Sequence, residues 1–211
     1  MKKIFIILII VFLFSCSHKN IKKNEVQVKK PTRVYVAPFK YLKSPIEFSN
    51  LDIKIEKNMI KYSYNNQLLD LIVRDLAQKF YIKLKNLRKD YKPVSIDDVE
   101  NVFQVPINKV SKKDIAERFN VDYIIQGYII KFVERQGNSF SVNVPAEVHF
   151  IIIMKDIRTN KVLWYKQYHE KQESLSSNLL YFYKFFKRKG KWVSVMELTE
   201  SAFSKIILEL P

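Results

Sequence analysis

The sequence predicts an α/β (α+β) fold: a single mixed, largely antiparallel sheet packed by two to three helices. Three observations lead there. Hydrophobic residues make up 47 % of the 211-residue chain and aromatics 14 %, enough for one sizeable core. Period-two apolar runs recur between residues 34 and 168, and two stretches, 69–87 and 196–210, carry apolar residues every three or four positions. Glycine occurs three times, at Gly127, Gly137 and Gly190, so no G-x-G-x-x-G, G-x-x-x-x-G-K-[ST] or G-x-S-x-G turn exists. Dinucleotide, Walker-type and hydrolase-elbow sites are therefore excluded.

The elements follow in order. Residues 33–39 alternate and break at Pro38, a first strand. Leu51, Ile53 and Ile55 alternate with polar residues, and after Lys57-Asn58 so do Ile60, Tyr62 and Tyr64, which predicts a hairpin. Leu69, Val73, Leu76, Phe80, Leu84 and Leu87 predict a long amphipathic helix with Asn65 as N-cap. Residues 93–96 fit a short strand, and 97–109 carry no decisive period. Ser111-x-x-Asp114 opens a short helix that exits at Asn120. Residues 121–134 are apolar on both faces, as in a central strand. Strict alternation from Phe140 to Met154 predicts one long strand, a turn over 156–161 returns the chain through 162–168, and a C-terminal helix closes it.

The N-terminus sets the compartment. Lys2 and Lys3 precede eleven apolar residues, Ile4 to Phe14, a run too short to span a bilayer but suited to a secretion signal. Ser15-Cys16 follows, and Leu13-Phe14-Ser15-Cys16 resembles the lipobox of bacterial lipoproteins, with Phe14 where that motif usually has a small residue. The resemblance implies that residues 1–15 are removed and that Cys16, the chain's only cysteine, carries the lipid; one acyl chain anchors marginally and two or more hold firmly. Ser17 is not the Asp that resembles an inner-membrane retention signal in some bacteria, so the expected location is the outer membrane, facing the periplasm. Residues 17–33 carry six basic residues against Glu25, a solvated tether of about 20–25 Å as a coil and at most about 55 Å extended. The expected organisation is thus a signal over 1–15, lipidated Cys16 with its tether over 16–33, and one periplasmic domain over 34–211.

The stretch VYVAPFKYLKSPIEFSNLDIKIEKNMIKYSYNNQLLDLIVRDLAQKF resembles the core of the ABC-type transport auxiliary lipoproteins, which accompany an ABC transporter and MCE-domain proteins in lipid trafficking. VDYIIQGYIIKFVERQG and KDIRTNKVLWYKQYHEK are similar too, while Asn65-Asn66 stands where that family often has Arg-Trp. IAERFNVDYIIQGYI and IRTNKVLW also resemble lipoproteins of the curli-secretion and penicillin-binding-protein-activator type. The first resemblance implies a non-catalytic accessory component of lipid or hydrophobic-substrate transport, with an MCE-domain protein or permease as partner. The second implies an envelope regulator or secretion component, and a homo-oligomer is compatible with either.

Catalytic and metal chemistry is sparse. His18, His149 and His169 form no zinc-type spacing, and the sequence points to no enzyme, cofactor or metal. Asp97-Asp98 fits a helix cap better than a cation site. The net charge of +16 points to an anionic partner, and export makes nucleic acid an unsuitable one. Residues 181–192 (YFYKFFKRKGKW) hold six aromatics and five basic residues without an acid. Lys184, Lys187, Arg188, Lys189, Lys191 and Trp192 are the candidate contacts to a membrane or a partner.

Overall fold

The computed structural model describes residues 32–48, 51, 53–137, 142–172 and 193–211. In chain order the strands are β1 (Thr32–Val36), β2 (Lys40–Tyr41), β3 (Ile46–Phe48), β4 (Ile53–Ile55), β5 (Lys61–Tyr62), β6 (Tyr91–Val94), β7 (Tyr123–Val133), β8 (Gln136–Gly137), β9 (Val142–Val144), β10 (Glu147–Asp156) and β11 (Val162–Lys171). The α-helices among the described residues are α1 (Asn66–Leu87), α2 (Ile96–Phe103), α3 (Lys112–Phe119) and α4 (Val195–Leu208). Thr32, expected in the tether, already belongs to the first strand.

The main sheet runs β11-β10-β7-β1-β6. β7 pairs antiparallel with β10, and β10 with β11; β1 lies parallel to both β6 and β7. Beyond β1, the short strands β2 and β5 continue along the same edge of β7, opposite Tyr128–Ile129 and Lys131–Phe132. Three short pieces thus cover what one long neighbour strand would. The Tyr62 hydroxyl joins them: it accepts from the Leu42 N–H (2.9 Å) and lies 2.8 Å from the carbonyl oxygen of Ile129.

One face of the sheet carries the larger core. Val34, Val36, Ile125, Ile129, Phe150 and Ile152 meet α1 and α4 there. α1 forms where the sequence places it, and Asn65 caps it by accepting from the Leu68 N–H at 2.9 Å. Leu69, Val73, Leu76, Phe80 and Leu84 are buried as expected, whereas Leu87, at the last turn, is exposed. Phe39, Phe80 and Phe203 meet at centroid distances of 5.1–5.9 Å, each fully buried ring contributing about 1.5–3 kcal/mol.

The opposite face is covered in two patches. α2 and α3 pack over Tyr35, Ala37, Ile124 and Ile157, and the β3–β4 hairpin packs over Ile130, Ile151 and Ile153. Residues 97–109, undecided in the sequence, contain most of α2. Ser95 and Asp98 form its capping box, and Arg74 holds Asp97 (3.0 Å) and Glu100 (2.6 Å). Asp97-Asp98 is therefore a cap and an ion-pair partner. Asn120 leaves α3 in the left-handed conformation, φ 50°.

Two expectations are corrected. Residues 53–55 do not pair with 60–64: β4 pairs with β3, residues 57–59 form a 3-10 turn, and β5 joins β7. Ile53 and Ile55 bury against the second face of the sheet while Tyr62 is held by β7 and Leu42, so the two alternating runs have different partners. The alternation from Phe140 to Met154 is not one strand either. It breaks at Pro145 and Ala146 into β9 and β10, because proline has no N–H to continue the ladder.

Candidate functional site

The predicted contact residues Lys184, Lys187, Arg188, Lys189, Lys191 and Trp192 lie outside the described residues, as does Cys16. The structure does describe the two residues that flank 173–192, Gln172 and Val193, and what surrounds them. Gln172 ends the run of β11, and its N–H donates to Ala146 (2.8 Å). The buried Gln172 amide, oriented to satisfy both groups, donates to the Val193 carbonyl (3.1 Å) and accepts from the Val193 N–H (3.2 Å). The two residues that flank the twenty-residue stretch 173–192 in sequence are thus hydrogen-bonded to each other. Nothing in the sequence singles out Gln172 for this role.

α4 starts immediately after that pair. Ser194 and Glu197 form a reciprocal capping box, with Ser194 Oγ accepting from the Glu197 N–H (3.1 Å) and Glu197 accepting from the Ser194 N–H (2.7 Å). Glu134, just past β7, accepts from the Tyr64 hydroxyl (3.2 Å) and the Val195 N–H (3.4 Å), placing a carboxylate at the positive end of the helix dipole.

A polar cluster flanks the pair on the second face of the sheet. Strand pairing puts His149 opposite His169 on one side and Lys131 on the other, at a bulge in the β7–β10 ladder. Glu147 Oε1 accepts from Lys131 (2.9 Å) and lies 2.8 Å from His169 Nε2. Burial works to raise the Glu147 carboxyl, but the hydrogen bonds from Lys131 and His169 outweigh it and hold the group below its ordinary value. His169 thus pairs across strands with Glu147, and Glu170 is held by the Tyr168 hydroxyl. His149 is 6 % exposed, although its neighbours in this cluster are polar. Its ring lies 4.9 Å from that of His169, and its Nε2 is 2.7 Å from the Gln167 amide nitrogen. Burial, then the positive charges of His169 and Lys131, pull His149 down to about 4, so it is a neutral acceptor at pH 7.

These groups satisfy one another, as structural networks do. Among the described residues, no three His, Cys, Asp or Glu side chains converge to hold a metal ion, and no helix is long and apolar enough to cross a membrane.

The two ends of the sheet differ in what they carry. Thr32, the first described residue, lies beside Asp90, and the next residue, Arg33, beside Asp122, where β7 begins. The base at Gln172 and Val193 lies where β7 ends, since Glu147 pairs with both Val133 and Lys171. β7 has eleven residues, which at about 3.3 Å per step separates the two ends by about 33 Å.

No family model matches the chain, and no curated protein matches it. Among solved structures, it is similar to the PelC dodecamer of Paraburkholderia phytofirmans, with 8 % identity over 85 % of this chain and 86 % of the other and a TM-score of 0.44. It is also similar to the lipoprotein GNA1162 of Neisseria meningitidis, with 14 % identity over 75 % of this chain and 94 % of the other, TM-score 0.41. A third is the LpoB C-terminal domain of Escherichia coli, with 13 % identity over 69 % and 87 %, TM-score 0.37. Likenesses at these scores carry no argument about what this chain does.

Proposed function

We propose that the chain is a lipid-anchored protein of the cell envelope, held through Cys16 to the outer membrane, and a non-catalytic accessory component of an ABC/MCE-type system moving lipid or another hydrophobic substrate. The sequence resemblance supplies the system. One structural observation supports the accessory role: Thr32, which follows the tether in sequence, lies at one end of the sheet, and Gln172 and Val193, which flank residues 173–192, lie at the other, about 33 Å away. With a tether of about 20–25 Å, the anchored end stays at the membrane while the far end can meet a protein. On this reading Lys184, Lys187, Arg188, Lys189, Lys191 and Trp192 contact the partner, an MCE-domain protein or permease, and the basic tether stays by the anionic headgroups.

Site-specific photo-crosslinking in cells tests this. A crosslinker at exposed Lys171, beside the base, is expected to capture an MCE-domain protein or a permease; one at Lys92, at the tether end, is expected to capture neither. Recovery from Lys171 of wall synthases or fibre subunits alone overturns the transport reading in favour of the regulator or secretion class.

A further inference from the structure

A second feature sits at the tether end, away from the Gln172–Val193 base described above. α3 and the turn between β10 and β11 enclose an open cavity of about 520 Å³, lined by Lys112, Lys113, Ala116, Glu117, Ile157, Arg158 and Asn160. Its volume falls in the range of about 300–1,000 Å³ usual for small-ligand sites. Lys155, two residues before Ile157 on β10, is half-buried and within electrostatic reach of Lys112 in that lining.

The lining itself carries three cations, Lys112, Lys113 and Arg158, against one carboxylate, Glu117, with Asp114, Asp122 and Asp156 close by. Asp114 accepts from Ser111 Oγ (2.7 Å) in the α3 cap. Asp156 is taken up by its own turn, accepting from the N–H groups of Arg158 (3.0 Å) and Thr159 (2.7 Å) and from the Thr159 hydroxyl (2.9 Å). Glu117 lies 4.0 Å from Lys113, and Asp122 3.9 Å from Arg158, both exposed pairs at the limit of contact. Lys112 reaches Asn160 Oδ1 at 3.4 Å and no carboxylate among the described residues. Lys155 faces two further cations: burial, then Lys112 and Lys40, pull its ammonium below the ordinary lysine value. A half-buried ammonium among like charges is stabilised by an anion that bridges it to its neighbours.

We propose that this cavity binds a phosphate-class anion, held by Lys112, Lys113 and Arg158 with Lys155 behind them. Arg158 supplies the planar fork that fits two phosphate oxygens, and the lysines supply point charges on the other side. Asn160, in the left-handed conformation at φ 59°, directs its amide oxygen to Lys112 and so fixes that side chain at the rim. The anion is either the phosphoryl headgroup of an anionic lipid or a soluble phosphate ester. The site is independent of which transport or regulatory system the protein serves.

Calorimetric titration decides the matter, with the full chain in neutral detergent for the soluble ligand and in detergent-free phosphatidylcholine nanodiscs for the vesicles. The ligands are glycerol 3-phosphate and, in parallel, vesicles of phosphatidylglycerol against vesicles of phosphatidylcholine. The triple variant Lys112→Ser, Lys113→Ser, Arg158→Ser alters exposed side chains only. It is compared with Lys85→Ser, Lys89→Ser, Lys92→Ser, which removes the same charge elsewhere. The expected result is that the first triple weakens binding at least tenfold and the second less than twofold. Loss confined to vesicles identifies the lipid headgroup, whereas loss for glycerol 3-phosphate identifies a soluble ester. Equal weakening by both triples, or no binding of either ligand, overturns the proposal.

Discussion

Gly127 and Phe39 are in such close register that a Cβ on the glycine would come within 2.6 Å of Cδ2, Cγ and Cε2 of the phenyl ring. Real side chains do not approach so closely, and Phe39 cannot swing away because Phe80 and Phe203 hold its other faces. Gly127→Ala is therefore expected to destabilise the domain by about 1–3 kcal/mol, the usual cost of overpacking. Chemical denaturation measures it, and Phe39→Leu in the same chain should recover part of the loss. A neutral Gly127→Ala would show that the β7–Phe39 contact is not tight.

His149 gives the protein an acid-side instability. Its folded value of about 4 lies below the ordinary 6.5, so below pH 6.5 the unfolded chain takes up a proton that the native state excludes. Stability attributable to this residue is full above about pH 6.5 and is lost as pH falls towards 4, by up to on the order of 3 kcal/mol. Replacing it with glutamine should flatten the stability profile between pH 6.5 and 4. An unchanged slope in His149→Gln would locate the acid sensitivity elsewhere. Glu147, held below its ordinary 4.5, contributes a separate loss only at lower pH.

The phenol of Tyr62 ties β5 to β2 and β7 through the backbone of Leu42 and Ile129. Tyr62→Phe keeps the ring, which packs edge-on against Tyr41 at 5.8 Å, and removes only the hydroxyl. A loss of about 1–3 kcal/mol is expected, since the Leu42 N–H keeps only its longer bond to Ile129 at 3.1 Å. Hydrogen exchange at the Leu42 amide should accelerate in the variant, and unchanged protection there would refute the assignment.

Residues 173–192 should be removable. Gln172 and Val193 already touch, so joining them by a short Gly-Ser linker closes a gap the fold has itself closed. A shorter loop costs less closure entropy. The melting temperature is expected to stay within about 4 °C of the parent, about 1 kcal/mol for a chain of this size. Partner capture from Lys171 should fall away in the same variant. A deletion that unfolds the domain would mean that the segment is part of the core.

The helices and central strands were legible because local chemistry decides them. Asn65 and Ser111 cap where capping side chains should, Asn120 exits left-handed, and residues 123–133 are apolar on both faces because both faces are covered. The pairing of short strands was not legible. Two or three alternating residues fit any edge, and Ile53, Ile55 and Tyr62 were assigned by tertiary contacts with β7 and β10. The burial of His149 was hidden because it depends on the hairpin and strands around it, which one strand's alternation does not show. The Gln172–Val193 bond and the cation-lined cavity each join distant residues of ordinary local sequence.

The separation of tether and loop base has a mechanical consequence. A pull between Thr32 and the Gln172–Val193 base runs along β1, β7 and β10, parallel to the strands, while their hydrogen bonds lie across that line. Such a load shears the ladders, so many bonds share it and must yield together, instead of opening one after another from an end. On the proposed reading, a domain strung this way between a lipid anchor and a partner would act as a stiff tie, transmitting tension with little lengthening.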